Sequence, residues 1–167
     1  ACIQVIKEMF KTPVNSYGFG TDSYVPDAES SMDVTLRGMM VTLSDSDVIG
    51  AAGRMAVTSA ISPIQHMIDN ALSKILKRIR AGIKVDEDTL AWKEIQATPP
   101  GGHYLELPHT LKHCREVLRS DITIREPLDT WESEGSKDLI ARMKEKYFKT
   151  KKTLKTLDIS TDLSKEL

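Results

Sequence analysis

Two short extended stretches, residues 14–17 (VNSY) and 48–52 (VIGAA), bracket a helical segment and constrain this chain most. The separation from Val14 to Val48 matches the roughly 30 or more residues of a parallel strand–helix–strand unit. Pro26 and Asp27 open the helix between them, with Asp27 at a position suited to an N-cap. Met32, Val34, Leu36, Met39, Met40 and Leu43 are its expected buried stripe, and residues 44–47 (SDSD) end it. Parallel sheets are covered on both faces and need more than two strands, so further strands must come from elsewhere. A portion of an α/β barrel or of an open α/β sheet meets that need.

The flanking segments read as helices and loops. Residues 1–10 (ACIQVIKEMF) carry Cys2, Val5, Ile6, Met9 and Phe10 at helical spacing and stop at Pro13. The chain starts at Ala1 inside that helix, which leads us to expect a split or processed product of a longer protein. Residues 53–62 are expected as a loop. Pro63 starts a long helix to about Arg80, closed by Ala81 and Gly82. Asp86 caps a helix to about Gln96, and Thr98-Pro-Pro-Gly-Gly102 is a hard break. Residues 103–107 read as extended, and Pro108 leads a helix to about Leu118. A last helix starts near Asp129 or Ser136 and runs toward Leu157. Lys144, Lys146, Lys149, Lys151, Lys152 and Lys155 crowd its end, as a solvated face or, in the alternative, a docking surface for an acidic partner. The final ten residues are expected to be disordered.

Bulk properties exclude some classes. The formal net charge is −1, so no global field recruits nucleic acid or an anionic membrane. No apolar run approaches the roughly 20 residues of a membrane helix, and no signal peptide is evident. The two cysteines, Cys2 and Cys114, stand far apart in no paired motif, which fits a reducing cytoplasm.

The chemistry-bearing residues gather at the ends of the two strands. Gly18-Phe-Gly-Thr-Asp-Ser23 follows a strand and precedes a helix, where anions bind. Ser23 stands where a dinucleotide fingerprint needs its third glycine, and no P-loop lysine is present, so phosphate binding is the weaker reading. Tyr17, Phe19 and Tyr24 surround Asp22. Aromatic faces with a carboxylate suit an ammonium ion, although each ring also suits ordinary packing. Gly50 to Met55 (GAAGRM) ends the second strand. Its small residues permit close approach of a ligand, and Arg54 could clamp a carboxylate or serve the loop. His103, His109, His113 and Cys114 make no clean ligand set across the Pro108 break, so no metal is expected. There is no Gly-x-Ser-x-Gly elbow and no assignable Ser/His/Asp set, so no catalytic residue is assigned.

Several stretches in order resemble the trimethylamine:corrinoid methyltransferase family, which includes the glycine betaine enzymes. Residues 18–29 (GFGTDSYVPDAE) resemble its loop and helix start near the end of the barrel, and residues 83–97 (IKVDEDTLAWKEIQA) its Val-Asp, Thr-Leu segment. Residues 101–115 (GGHYLELPHTLKHCR) and 125–135 (REPLDTWESEG) resemble its C-terminal signature. The likeness covers most of residues 1–150. Two departures stand out. Val48-Ile-Gly-Ala-Ala-Gly53 replaces a His-Gly-x-Gly-like stretch, and Ala28-Glu29 replaces Gln-Ala.

The resemblance implies the C-terminal portion of a TIM (β/α)8 barrel with a helical C-terminal extension. Residues 1–84 would be the last strand–helix units, 85–157 the extension and 158–167 a tail. A whole barrel takes about 250 residues. It implies methyl transfer from a tertiary or quaternary amine to the Co(I) of a corrinoid on a partner protein, with no cofactor bound directly and with homo-oligomers common. Some members carry pyrrolysine; this chain holds no non-standard residue. In that reading Tyr17, Phe19, Asp22 and Arg54 bind substrate, and Gly18, Gly20, Gly50 and Gly53 face the corrinoid. A chain of this length would be inactive alone. The competing reading is a non-catalytic binding or assembly module derived from the family.

Overall fold

A computed structural model of the chain describes residues 1–154 and is mixed α/β. It divides into two compact units, Ala1–Thr123 and Ile124–Leu167. The expected tail at 158–167, the end of the last helix at 155–157 and Lys155 lie outside the described residues.

In the first unit, β1 (Asn15–Tyr17) and β2 (Val48–Gly50) pair in parallel, with Asn15, Ser16 and Tyr17 opposite Val48, Ile49 and Gly50. The crossover between them is α2 (Ala28–Leu43), which follows α1 (Cys2–Phe10). Asp27 caps α2 as its position foretold. Its carboxylate accepts from Ser30 N at 3.0 Å, and Ser30 Oγ accepts from Asp27 N at 2.8 Å. Residues 53–62 are more than a loop. They form a hairpin of β3 (Arg54–Met55) and β4 (Ala60–Ile61), turned by three successive left-handed residues, Ala56, Val57 and Thr58. Then α3 (Pro63–Ala81) begins behind its cap Ser62 and ends at Gly82, whose φ of 68° suits glycine.

Of the stripe expected on α2, Val34 alone is buried. Met32, Leu36, Met40 and Leu43 are exposed, whereas Ser30, Val34, Gly38 and Thr42 are buried at a spacing of four. The reason is distance of approach. Gly18 and Gly38 pack together under α2, and a Cβ on Gly38 would lie 2.8 Å from Leu76 Cδ1 of α3. Small residues let helix and strand close up, so the bulky ones turn outward. The core is Phe19, Val34 and Leu76, flanked by Ile49, Ala52 and Leu72. Helix α1 is tied by Lys7, whose Nζ lies 2.9 Å from Asp45 Oδ2 and 3.0 Å from Asp47 Oδ1.

Beyond Gly82 the elements shorten. The helix expected to run from Asp86 to Gln96 is broken at Ala91, which adopts φ 49°, into α4 (Glu87–Leu90) and α5 (Trp92–Ala97). Residues 103–107 turn rather than extend: Leu107 N donates to Tyr104 O at 3.2 Å, and Thr110 Oγ1 to the same carbonyl at 2.6 Å. Helix α6 (Pro108–His113) stops well before Leu118.

The second unit holds α7 (Leu128–Ser133) and α8 (Leu139–Thr153). Trp131 Nε1 donates to Lys137 O at 3.1 Å across the turn at Gly135, and Asp138 caps α8 through Ala141 N at 2.7 Å. Met143 is the buried residue of α8, and Lys144, Lys149, Lys151 and Lys152 are exposed.

Candidate functional site

The C-terminal ends of β1 and β2 run on into two loops that bond to each other. Phe19 N donates to Gly50 O, Thr21 N to Arg54 O and Ala56 N to Ser23 O, at 3.0–3.1 Å. Thr21 Oγ1 donates to Asp33 Oδ2 of α2 at 2.7 Å, which holds the first loop against its own crossover helix. The segments 18–25 and 50–56, separate in sequence, are thus one surface, at the strand ends where open and closed parallel sheets bind ligands.

Tyr17, Asp22 and Arg54 occupy this surface. The Tyr17 ring is exposed, and the Arg54 guanidinium carbon lies 5.5 Å from its centroid, a cation over an aromatic face. Asp22 is exposed and pairs with Arg37 Nη2 at 3.4 Å, while Arg37 Nη1 donates to Gly20 O at 3.2 Å. Tyr24 is exposed. Phe19 does not join them, because its ring is buried in the core against Val34 and Leu76. It supports the loop from below, as a large apolar side chain gains most by burial.

Three of the four glycines have internal reasons for lacking a side chain. A Cβ on Gly18 would lie 2.5 Å from Ile49 Cγ2, one on Gly50 3.2 Å from Tyr17 Cδ1, and one on Gly53 2.9 Å from His66 Cβ. Gly20 differs. Its φ of 116° favours glycine, and the nearest atom to its Cβ position, Ala51 Cβ, is at ordinary contact distance, 3.5 Å.

Beneath the second loop lies a group that the sequence reading did not single out. Asp69 is fully buried and accepts from Gly53 N at 2.7 Å and Gln65 Nε2 at 2.7 Å. Burial pushes its carboxyl above the ordinary 3.8, against the pull of those two donors and of nearby His66. It fixes the turn at Gly53 and hence the start of β3 at Arg54. Gln65 and Asp69, a polar pair four apart inside the apolar stripe of α3, are the signal that would have found it. Arg37 carried no such signal; only the return of the crossover brings it over the loop.

Comparison with known proteins decides the lineage. Residues 5–167 match the family model of trimethylamine methyltransferase (MTTB). The chain belongs to this family. A trimethylamine methyltransferase MttB of Desulfitobacterium hafniense is 28% identical over 142 residues, covering 85% of this chain and 29% of that protein. The MttB of Methanosarcina barkeri is 27% identical over 167 residues, the whole of this chain and 34% of its own. A glycine betaine methyltransferase of D. hafniense is 29% identical over 131 residues, 77% of this chain and 27% of that protein. The chain therefore spans about a third of the length of these relatives. Among the described residues, no helix is long and apolar enough to cross a membrane.

Proposed function

We propose that this chain supplies the last two strand–helix units of a (β/α)8-barrel methyltransferase, with residues beyond α3 as its helical extension. The order β1, α2, β2, α3 with parallel strands supports this reading, because each repeat of that architecture is a strand followed by a helix. The reaction moves a methyl group from a methylated amine to the Co(I) of a corrinoid carried by a partner protein. As the carbon–nitrogen bond breaks, its electron pair stays on nitrogen and cancels the positive charge there. The corrinoid cobalt supplies the electron pair that receives the methyl group. What remains for this chain is to hold the ammonium in line and exclude water, which requires no nucleophilic side chain.

The observation that carries the reading is the guanidinium already seated over Tyr17 at the ends of two parallel strands. A ring face that holds Arg54 holds an ammonium by the same electrostatics, and Asp22 adds a carboxylate on the same loop surface. Gly20, with no internal atom crowding its Cβ position, is the glycine we retain as facing the acceptor. With Tyr17 exposed, the remaining strands would complete the enclosure. Such a protein acts in the cytoplasm, as a homo-oligomer, in methylamine metabolism.

The test is loss of Co(I) absorbance when the intact protein is mixed with a reduced corrinoid protein and a panel of amines. Loss with at least one tertiary or quaternary amine is expected; none with any of them would sink the reading. The relative that acts on glycine betaine makes Arg54 informative. If the substrate carries a carboxylate, Arg54→Ala lowers turnover of that amine and spares simple methylamines; unchanged selectivity removes Arg54 from the site.

A further inference from the structure

Helix α6 places His109 and His113 four residues apart, on one face, with ring centroids 4.4 Å apart and planes tilted by 36°. Asp88 of α4 comes against them from 21 positions earlier than His109. One potential ligand atom from each of the three lies within 4.8 Å of the other two, and no other such group of His, Cys, Asp or Glu occurs among the described residues. From this arrangement we infer that Asp88, His109 and His113 bind a divalent transition metal ion, with Zn²⁺ as the natural occupant.

The protonation pattern supports it. His113 Nδ1 lies 2.9 Å from Glu116 Oε2, so the Nδ1 proton faces that carboxylate. Its Nε2 is then left with a lone pair. That atom is buried, lies 3.3 Å from Asp88 Oδ2, and takes part in no hydrogen bond. Two electron-pair donors facing each other need a cation between them. A carboxylate behind a histidine that binds metal through its other nitrogen is the usual outer-shell arrangement. His109 follows the same logic: its Nε2 lies 2.6 Å from the Asp88 carbonyl oxygen and donates to it, which leaves Nδ1 unprotonated. Two imidazoles and one carboxylate suit zinc, and three protein ligands leave a fourth position for water.

The competitor is also visible. Lys112 Nζ lies 2.6 Å from Asp88 Oδ2, on a side chain more than half exposed and free to swing into solvent. Removing it should tighten metal binding, an effect that a purely structural lysine would not have. The alternative to metal is a proton: a charged His113 between Asp88 and Glu116.

The experiment is titration of the metal-free protein with Zn²⁺ by calorimetry and with Co²⁺ by visible absorption, alongside histidine NMR. One equivalent should bind and shift the ring signals of His109 and His113 while sparing His66 and His103. His109→Ala and His113→Ala should abolish binding. Glu116→Gln, which keeps all three ligands, should weaken it about 10- to 100-fold, and Lys112→Gln should strengthen it. His103→Ala and Cys114→Ser should leave it unchanged. No binding by the parent protein overturns the inference. So do shifts at His66 or His103 in place of the pair, which is read in the parent and does not depend on a variant folding.

Discussion

Residues 14–81 and residues 83–121, both within the first unit, are built on different principles. The earlier stretch contains Phe19, Val34 and Leu76 packed together, with Asp69 wholly buried beneath a loop. The later stretch has no buried residue at all. Its apolar side chains, Leu90, Trp92, Leu105, Leu111 and Val117 among them, are exposed. Its short helices are held by polar contacts: the Asp86 cap on Thr89 N, the ion pair of Lys84 with Asp86, and the links from Asp88 to Lys112 and His109. Burial makes the earlier region insensitive to which ions are present. The later region, with little burial, is where a single bound cation would matter, because exposed ion pairs contribute only about 0–1 kcal/mol each.

The sharpest way to break this contrast is to empty the core. Leu76→Ala should destabilise the first unit by about 2–5 kcal/mol in chemical denaturation, through lost burial and the cavity left behind. A change below the effect of a surface substitution would mean that the α2–α3 contact is not the core. Overfilling is the next largest effect. Gly18→Ala would place a Cβ against Ile49 Cγ2 and should lower stability by about 1–3 kcal/mol; wild-type stability would show that the Ile49 side chain can move aside without penalty.

A pH comparison isolates Asp69. Its folded carboxyl is raised above the ordinary 3.8, so the folded chain holds that proton at higher pH than the unfolded chain. The contribution is fully present below the unfolded value and is lost as pH rises through the folded value. Asp47 works in the opposite sense, because Val14 N–H and Lys7 hold it below 3.8, and its contribution is lost in acid. The melting temperature of the parent minus that of Asp69→Asn should therefore decline with rising pH across mildly acidic pH, while the acid limb, common to both proteins, cancels. A difference curve flat with pH would mean that Asp69 titrates alike in both states.

The smallest effect is expected in the exposed region. Trp92 is 61% exposed, and Trp92→Ala should shift stability by no more than about 0.5 kcal/mol despite the size of the ring. A loss of several times that amount would reveal a packing partner for α5 and dissolve the contrast.

Much of the earlier region was legible from residues alone. The strands at 15–17 and 48–50, the Asp27 cap, and the helix Pro63–Ala81 stopped by Gly82 follow from local rules: proline and glycine punctuation, a capping carboxylate and the length of a parallel crossover. The likeness to trimethylamine methyltransferases was legible too, as an ordered series of short matches. The site was only partly so. Tyr17 and Arg54 were read as neighbours in function, and the structure brings them into contact, whereas Phe19, equally aromatic and two residues on, goes into the core.

What the sequence by itself determined is the strand–helix–strand–helix order of residues 14–81 and its punctuation, because caps, proline starts and glycine stops depend on neighbours in the chain. The β3–β4 hairpin and the break at Ala91 did not follow from those rules. Tertiary structure alone decided which face of each element turns inward. The methionines and leucines of α2 lost the core to Ser30, Gly38 and Thr42 because close packing of helix on strand favours small residues, a matter of distance between segments far apart in sequence. Tertiary structure likewise set Asp69 under Gly53 and brought Asp88 to two histidines beyond a proline break. Those partners are separated by 16 or more residues, and only the folded backbone sets the space between them.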